Sequence, residues 1–387
     1  MPAPLLPMTQ ARSRSLFIIV SVLVVAGAVA GGGLVARRGR TSSSRPTASA
    51  STTIPDGQAP EAPAGGRADP MEPGSIPPPS DPATLPLKTE GKERLDPEVQ
   101  PDGTKLFRLT AAPIRWEIVP GTWVTAWAYN GQVPGPQLWV NEGDKVRVDI
   151  TNHLPEPTTI HWHGVDVPND QDGVPGVTQD PILPGATYTY SWVAKPSGTF
   201  WYHPHFDNNR QLDMGLYGAL IIKGADEPRY DREFVMFMDE WIRLQDGRNG
   251  WEGVDHAGHN PGEYNWFTIN GKSAPEIPHM VVKQGDRVRI RLINAGYQAH
   301  PMHLHGKRTT VVAKDGAPLA SPYQVDTVLI GTGERYDLEY LADDPGSWMF
   351  HCHIDGHLSN DAHPGGGLMT FLDYEGYKNA YQQSKGA

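Results

Sequence analysis

The chain repeats itself, and the repeated unit has the period of a β-strand. Val140-Asn141-Glu142-Gly143-Asp144-Lys145-Val146-Arg147-Val148 recurs as Val282-Lys283-Gln284-Gly285-Asp286-Arg287-Val288-Arg289-Ile290, an offset of 142 residues. The same offset carries Asn152 onto Asn294 and His161-Trp162-His163-Gly164 onto His303-Leu304-His305-Gly306. Further on, Gly198-Thr199-Phe200-Trp201-Tyr202-His203-Pro204-His205 returns as Gly346-Ser347-Trp348-Met349-Phe350-His351-Cys352-His353, now at an offset of 148. Apolar residues alternate along both copies, as in strands with one buried face. Two copies of such a unit predict two tandem β-sandwiches, over 104–226 and 227–376. Short Val, Ile, Tyr and Trp runs between Gly, Pro, Asn and Asp turns make the class all-β.

The differences between the copies carry chemistry. Cys352, the only cysteine of the 387 residues, stands where the first copy has Pro204; His300 replaces Thr158 and His357 replaces Asn209. Both copies keep two His-x-His pairs: His161/His163 and His203/His205, then His303/His305 and His351/His353. Members of a pair, two residues apart on a strand, share a face, whereas Cys352 faces away from His351 and His353. One His-x-His pair is commonly an ordinary strand feature. Four in repeat-related positions point to metal. Eight imidazoles fit three coppers, and His300, Cys352 and His357 remain for a fourth of the His₂Cys blue type. Four one-electron centres match the four electrons that take O₂ to two waters. The competing reading of Cys352 as a thiol nucleophile suits neither its neighbours nor its histidine partners. His153, His256, His259, His279 and His363 carry no spacing signal and read as loop residues, with His256, His259 and His363 candidates to line an access route.

The first hundred residues are of another kind. Leu16 to Ala36 is uncharged and mostly apolar, between Arg12 and Arg14 on one side and Arg37, Arg38 and Arg40 on the other. Ala28-Val29-Ala30 suits a cleavage site, so residues 1–36 read as a signal peptide or an N-terminal membrane anchor. The chain is therefore expected to be exported, as a periplasmic, cell-surface or secreted protein. Residues 37–103, rich in Pro, Ser, Ala and Gly, read as a disordered linker, and 377–387 as a tail. A net charge of −11 with no basic stripe argues against a nucleic-acid partner. One cysteine allows no intrachain disulfide.

These motifs, HWHG at 161–164, HPH at 203–205, HPMHLHG at 300–306 and HCHIDGH at 351–357, resemble those of the multicopper oxidase family, as does Asn130-Gly131-Gln132-Val133-Pro134-Gly135-Pro136. The resemblance covers nearly all of 104–376 and implies two cupredoxin-like Greek-key sandwiches, with type 1 copper in the second alone. It implies His161 and His303 at the type 2 copper. His163, His203, His205, His305, His351 and His353 would hold the type 3 pair, and His300, Cys352 and His357 the type 1 copper. Asp172, before Gly173, looks like the family's proton-relaying carboxylate beside the cluster; it also reads as a turn residue. Two domains with this ligand distribution are similar to the small laccases, which implies a homotrimer with trinuclear sites between subunits.

Two departures stand out. The family's axial Met or Leu position would fall on Ala362, and the longer loop here leaves Leu368 or Met369 for that role. The usual HxF continuation is replaced by Lys307-Arg308-Thr309. The function implied is laccase-like: one-electron oxidation of phenols or aromatic amines, collected at Cys352 and delivered through His351 or His353 to O₂. A metallo-oxidase acting on Cu(I), Mn(II) or Fe(II) is the alternative, although the ten methionines form no run. A copper nitrite reductase would need the cysteine in the first copy, and a copper carrier would not need four His-x-His pairs.

Overall fold

The computed structural model describes residues 81–89, 94–252 and 263–377. The apolar N-terminal segment, the greater part of the linker and the tail beyond 377 lie outside them. Among the described residues, no helix is long and apolar enough to cross a membrane.

Four sheets form two sandwiches. In the first, the long strand Lys105–Val119 pairs with Thr122–Tyr129 and Lys145–Asn152, and Lys145–Asn152 pairs with Thr187–Val193. The facing sheet runs Gly135–Asn141, Gly218–Lys223, Gly198–His203, His161–His163. In the second sandwich the sheet order Met280–Val282, Met369–Tyr374, Ser347–Cys352, His300–Leu304 reproduces that order strand for strand. The repeat is therefore a repeat of topology as well as of letters. Strand Lys145–Asn152 alternates exposed or half-buried with buried residues along its length, so Val146, Val148 and Ile150 face the core.

Three apolar cores hold these sheets. One lies inside the first sandwich around Phe107, Trp162, Tyr190 and Phe200; a second fills the other around Ile290, Met302, Phe350 and Cys352. The third joins residues of both, among them Trp116, Trp201, Ile221, Phe237 and Trp241. Trp116 Nε1 donates to the Gly271 carbonyl (2.5 Å) across the same seam. Beside it lies a charged knot. Arg291, with no exposed side-chain surface, reaches Thr199 Oγ1 of the first sandwich (2.6 Å) and Glu233 (2.6 Å). Thr199 in turn donates to Asp337 (2.7 Å), and Arg289 pairs with Asp337 and Glu227.

The linker ends earlier than the composition suggests. Asp81 caps a 3₁₀ turn at Pro82–Thr84, Leu87–Lys88 and Glu98–Val99 pair with strand Lys105–Val119, and Arg94–Leu95 pairs with Gly135–Asn141. Two-residue pieces are too short to show a period, and their order comes from backbone bonding to sheet edges.

Removing one partner from a buried ion network leaves the others desolvated, typically at about 3–5 kcal/mol. Because Arg289 and Lys223 still serve the acids, Arg291→Met is expected near the low end, about 3 kcal/mol, read as a lower denaturant midpoint.

Candidate metal centres

Strand alternation sets out the side chains around the HCH sequence. His300, Met302 and Leu304 lie on one face of their strand and His303 on the other, and Met302 stands opposite Cys352 while His303 stands opposite His351. The outcome is three groups whose donor atoms all lie within 4.8 Å of one another: His300, Cys352, His357; His303, His305, His351; and His161, His163, His203.

The cysteine group is wholly buried. His300 Nδ1 and His357 Nδ1 are 3.1 Å apart, and Cys352 Sγ lies 3.9 and 3.5 Å from them. The ring of His357 stacks on Phe267, centroids 4.3 Å apart. Burial, then the neighbouring His300, pulls the His357 pKa down to about 4, so the imidazole is neutral and its lone pair available. Burial pushes the Cys352 thiol up to about 11. Two soft-to-borderline nitrogens and a sulfur, shielded from water, fit copper.

Register separates the two axial candidates. Met369 pairs with His351 and so takes the face away from Cys352. Leu368 accepts the Cys352 N–H (3.0 Å), donates to the His357 carbonyl (2.9 Å) and is fully buried in the core that contains Cys352. Gly367 turns the chain there at φ +67°, where a Cβ would run into the His357 carbonyl.

In the histidine-only groups, four of the six rings have one nitrogen held by a backbone carbonyl. His203 Nδ1 faces Pro204 O and His351 Nδ1 faces Cys352 O, both at 2.8 Å and in repeat-related positions. His303 Nδ1 faces Asp326 O (2.8 Å), and His161 Nδ1 faces Asp172 O (2.9 Å) with Asp172 Oδ1 at 3.3 Å. A carbonyl accepts, so Nδ1 carries the proton and Nε2 presents its lone pair. His163 Nδ1 comes to 3.2 Å from His203 Nε2, and His305 Nε2 to 3.1 Å from His351 Nε2. Burial lowers the pKa of His163 to about 3, with Arg335 adding to it, and lowers those of His203, His305 and His351. His205 and His353 sit at the rims, exposed, with ring centroids 5.6 Å from His161 and His303.

The two histidine-only sets do not meet within the chain: among the described residues every His–His ring contact falls inside one sandwich. His279 pairs with Asp373 (2.5 Å) and joins none of the groups. His153 and His363 are exposed, and His256 and His259 lie outside the described residues.

A set of acids beside His300 is invisible in the motifs. Glu240 and Asp239 are fully buried, and Asp213 nearly so. Burial pushes Asp213 up to about 8 and Asp239 well above the carboxylate range; Asp213 accepts from Trp251 Nε1 (2.6 Å) and Tyr264 OH (2.7 Å). The signal available in the sequence is an acid pair inside the otherwise apolar run Val235-Met236-Phe237-Met238-Asp239-Glu240-Trp241.

Comparison with known proteins agrees with the geometry. Two multicopper oxidase family models match residues 110–227 and 252–363. A blue copper oxidase structure from Nitrosomonas europaea is 39% identical, with a TM-score of 0.66, over 70% of this chain and 86% of that one. A multicopper oxidase of Mycobacterium tuberculosis is 35% identical over 60% of this chain and 51% of its own length. A laccase of Botryotinia fuckeliana is 34% identical over 61% and 44%. The chain thus spans about half the length of these curated relatives.

A thiol held up to about 11 must lose its proton to bind copper, whereas His357 is already neutral above its value of about 4. Between pH 6 and 8, Cu(II) affinity at the Cys352 group is expected to rise about tenfold per pH unit, measured by chelator competition on the Cys352-dependent absorption.

Proposed function

The chain belongs to the multicopper oxidase family, and from that premise we propose that it is a laccase-like oxidase of phenols or aromatic amines with O₂ as acceptor. Copper bound at these donors supplies one-electron oxidation of the reductant and four-electron reduction of O₂ to water. His300, Cys352 and His357 would hold the type 1 copper, with the buried Leu368 beside them in the same core. His161 and His303 would hold the type 2 copper, and His163, His203, His205, His305, His351 and His353 the type 3 pair. The observation that carries the reading is the strand Ser347–Cys352 and its continuation. It gives Cys352 to a buried nitrogen–sulfur group on one face and His351 to a histidine group on the other.

The residues divide the work. Complete burial of Cys352 and His300 keeps water from the thiolate and its partner. His357, on the 3₁₀ turn Asp355–Leu358 beyond the strand, is buried but is the least enclosed of the three and would be the point of contact for a reductant. Cys352 is joined by a peptide bond to His351, whose Nδ1 proton is held by the Cys352 carbonyl (2.8 Å). Asp172, with its side chain a third exposed, stands against His161 and can pass protons from solvent to the oxygen-reducing side.

Each chain carries two histidine sets that do not meet, and His205, His305 and His353 are exposed at their rims. This favours an assembly in which the first sandwich of one copy meets the second of its neighbour, and the number of copies, three, rests on the resemblance to the small laccases alone. Export belongs to the same proposal and rests on Leu16 to Ala36 alone.

Copper analysis of the assembled protein is expected to give about four coppers per chain and a blue band. Cys352→Ser is expected to abolish the band and remove one copper. Far fewer coppers in fully loaded protein, or a band that survives the substitution, overturns the reading. Gel filtration with O₂-uptake assays tests assembly: a monomer that consumes O₂ at the full rate excludes sites shared between subunits.

A further inference from the structure

The two histidines of the cysteine group are backed differently. His357 lies flat on Phe267, whereas His300 backs onto a carboxylate. Glu240 Oε1 is 3.0 Å from His300 Nε2, the ring nitrogen that faces away from Cys352, and neither side chain has exposed surface. The N–H of the ring does not point squarely at that oxygen, so the contact is a close electrostatic one, carboxylate against ring edge, and not a well-formed hydrogen bond. The same carboxylate accepts the Gln298 N–H at Oε1 (2.8 Å) and the Tyr297 N–H at Oε2 (3.0 Å). A Cβ at Gly296 would run into it, so the loop before His300 packs directly on the carboxylate.

Both hydrogen-bond partners of the Glu240 carboxylate are backbone N–H donors, one on each oxygen. Its acidic neighbours are served differently. Asp239 and Asp213 each have one buried oxygen without a hydrogen-bond partner, and burial drives both toward the neutral form. Of these three buried acids Glu240 is the one that faces a histidine of the cysteine group, at a place where water does not screen it.

We propose that Glu240 is a positioning residue for the type 1 centre: it keeps the proton of His300 on Nε2, leaving Nδ1 to the metal, and sets a fixed negative charge behind that ligand. Oxidised copper carries one more positive charge than reduced copper. A negative charge held close by favours the oxidised state and lowers the reduction potential of the centre. The inference rests on the type 1 reading above. It adds a determinant of potential on a strand that supplies none of the ligands.

The test is a redox titration of copper-loaded protein followed at the blue band, comparing the parent with Glu240→Gln and Gly296→Ala. Glutamine keeps an oxygen for the Gln298 N–H and His300 Nε2 while removing the charge. Alanine at 296 keeps the charge and pushes it aside. Both variants are expected to retain the blue band and titrate at a higher potential than the parent, with the larger shift in Glu240→Gln. A blue Glu240→Gln protein whose potential is unchanged or lower overturns the role of Glu240 and leaves the type 1 reading intact. A parent without a Cys352-dependent band overturns both. Should Glu240→Gln not fold, Gly296→Ala decides by the same readout: an unchanged potential counts against the proposal.

Discussion

The two-residue period of a β-strand is the constraint on which everything else here depends. Because successive side chains leave opposite faces, His351 and Cys352 belong to different donor groups although they share a peptide bond. A helix would place them about 100° apart on one surface and could not separate a buried sulfur from a histidine set on the far side. The neighbouring strand repeats the device, with His300 on the cysteine side and His303 on the other. Two adjacent strands thus supply residues to two donor groups, and the turn Asp355–Leu358 adds His357 to one of them.

Preorganisation comes from the backbone more than from side chains. Four of the paired histidines give their Nδ1 protons to carbonyl groups, which fixes ring orientation and tautomer at once. Two of those carbonyls belong to Pro204 and Cys352, the residues next to His203 and His351, so the repeat conserves the second contact along with the ligand. Burial does the rest by disfavouring the charged imidazolium.

Much of this was legible in the letters. The offsets of 142 and 148 anticipate the matching strand orders, and His-x-His spacing anticipates which rings share a face. The features that were not legible are those decided by contacts distant in sequence. Glu240 is sixty residues from His300 and meets it only because strand Arg232–Trp241 runs beside the loop that precedes His300. The choice between Leu368 and Met369 depends on register against Cys352, which a loop of uncertain length conceals. The pieces between Asp81 and Gln100 gain their order from sheet edges, and a composition rich in Pro and Ala gives no hint of that. The third core, shared between the sandwiches, draws on residues whose alternation looks like that of any half-buried strand.

The first copy shows what occupies the place of the cysteine group when those three donor residues are absent. Thr158, in the place of His300, is fully buried and donates to Gln211 Oε1 (2.7 Å). Gln211 gives its amide to Glu156 (2.9 Å) and to the Pro157 carbonyl (2.8 Å), and Arg210 closes the set on Glu156 (3.0 Å). Pro204 fills the position of the thiol. A buried polar site must be satisfied by something, since each orphaned group costs about 1–3 kcal/mol. In the second copy the donors converge on one point and suit a cation; in the first they are paired among themselves, donor to acceptor. Restoring only a cysteine at 204 would therefore leave the Thr158–Gln211–Glu156 chain intact and supply one ligand of three. The two copies differ by whole networks, and that is why a single fold can carry a cysteine centre in one half and none in the other.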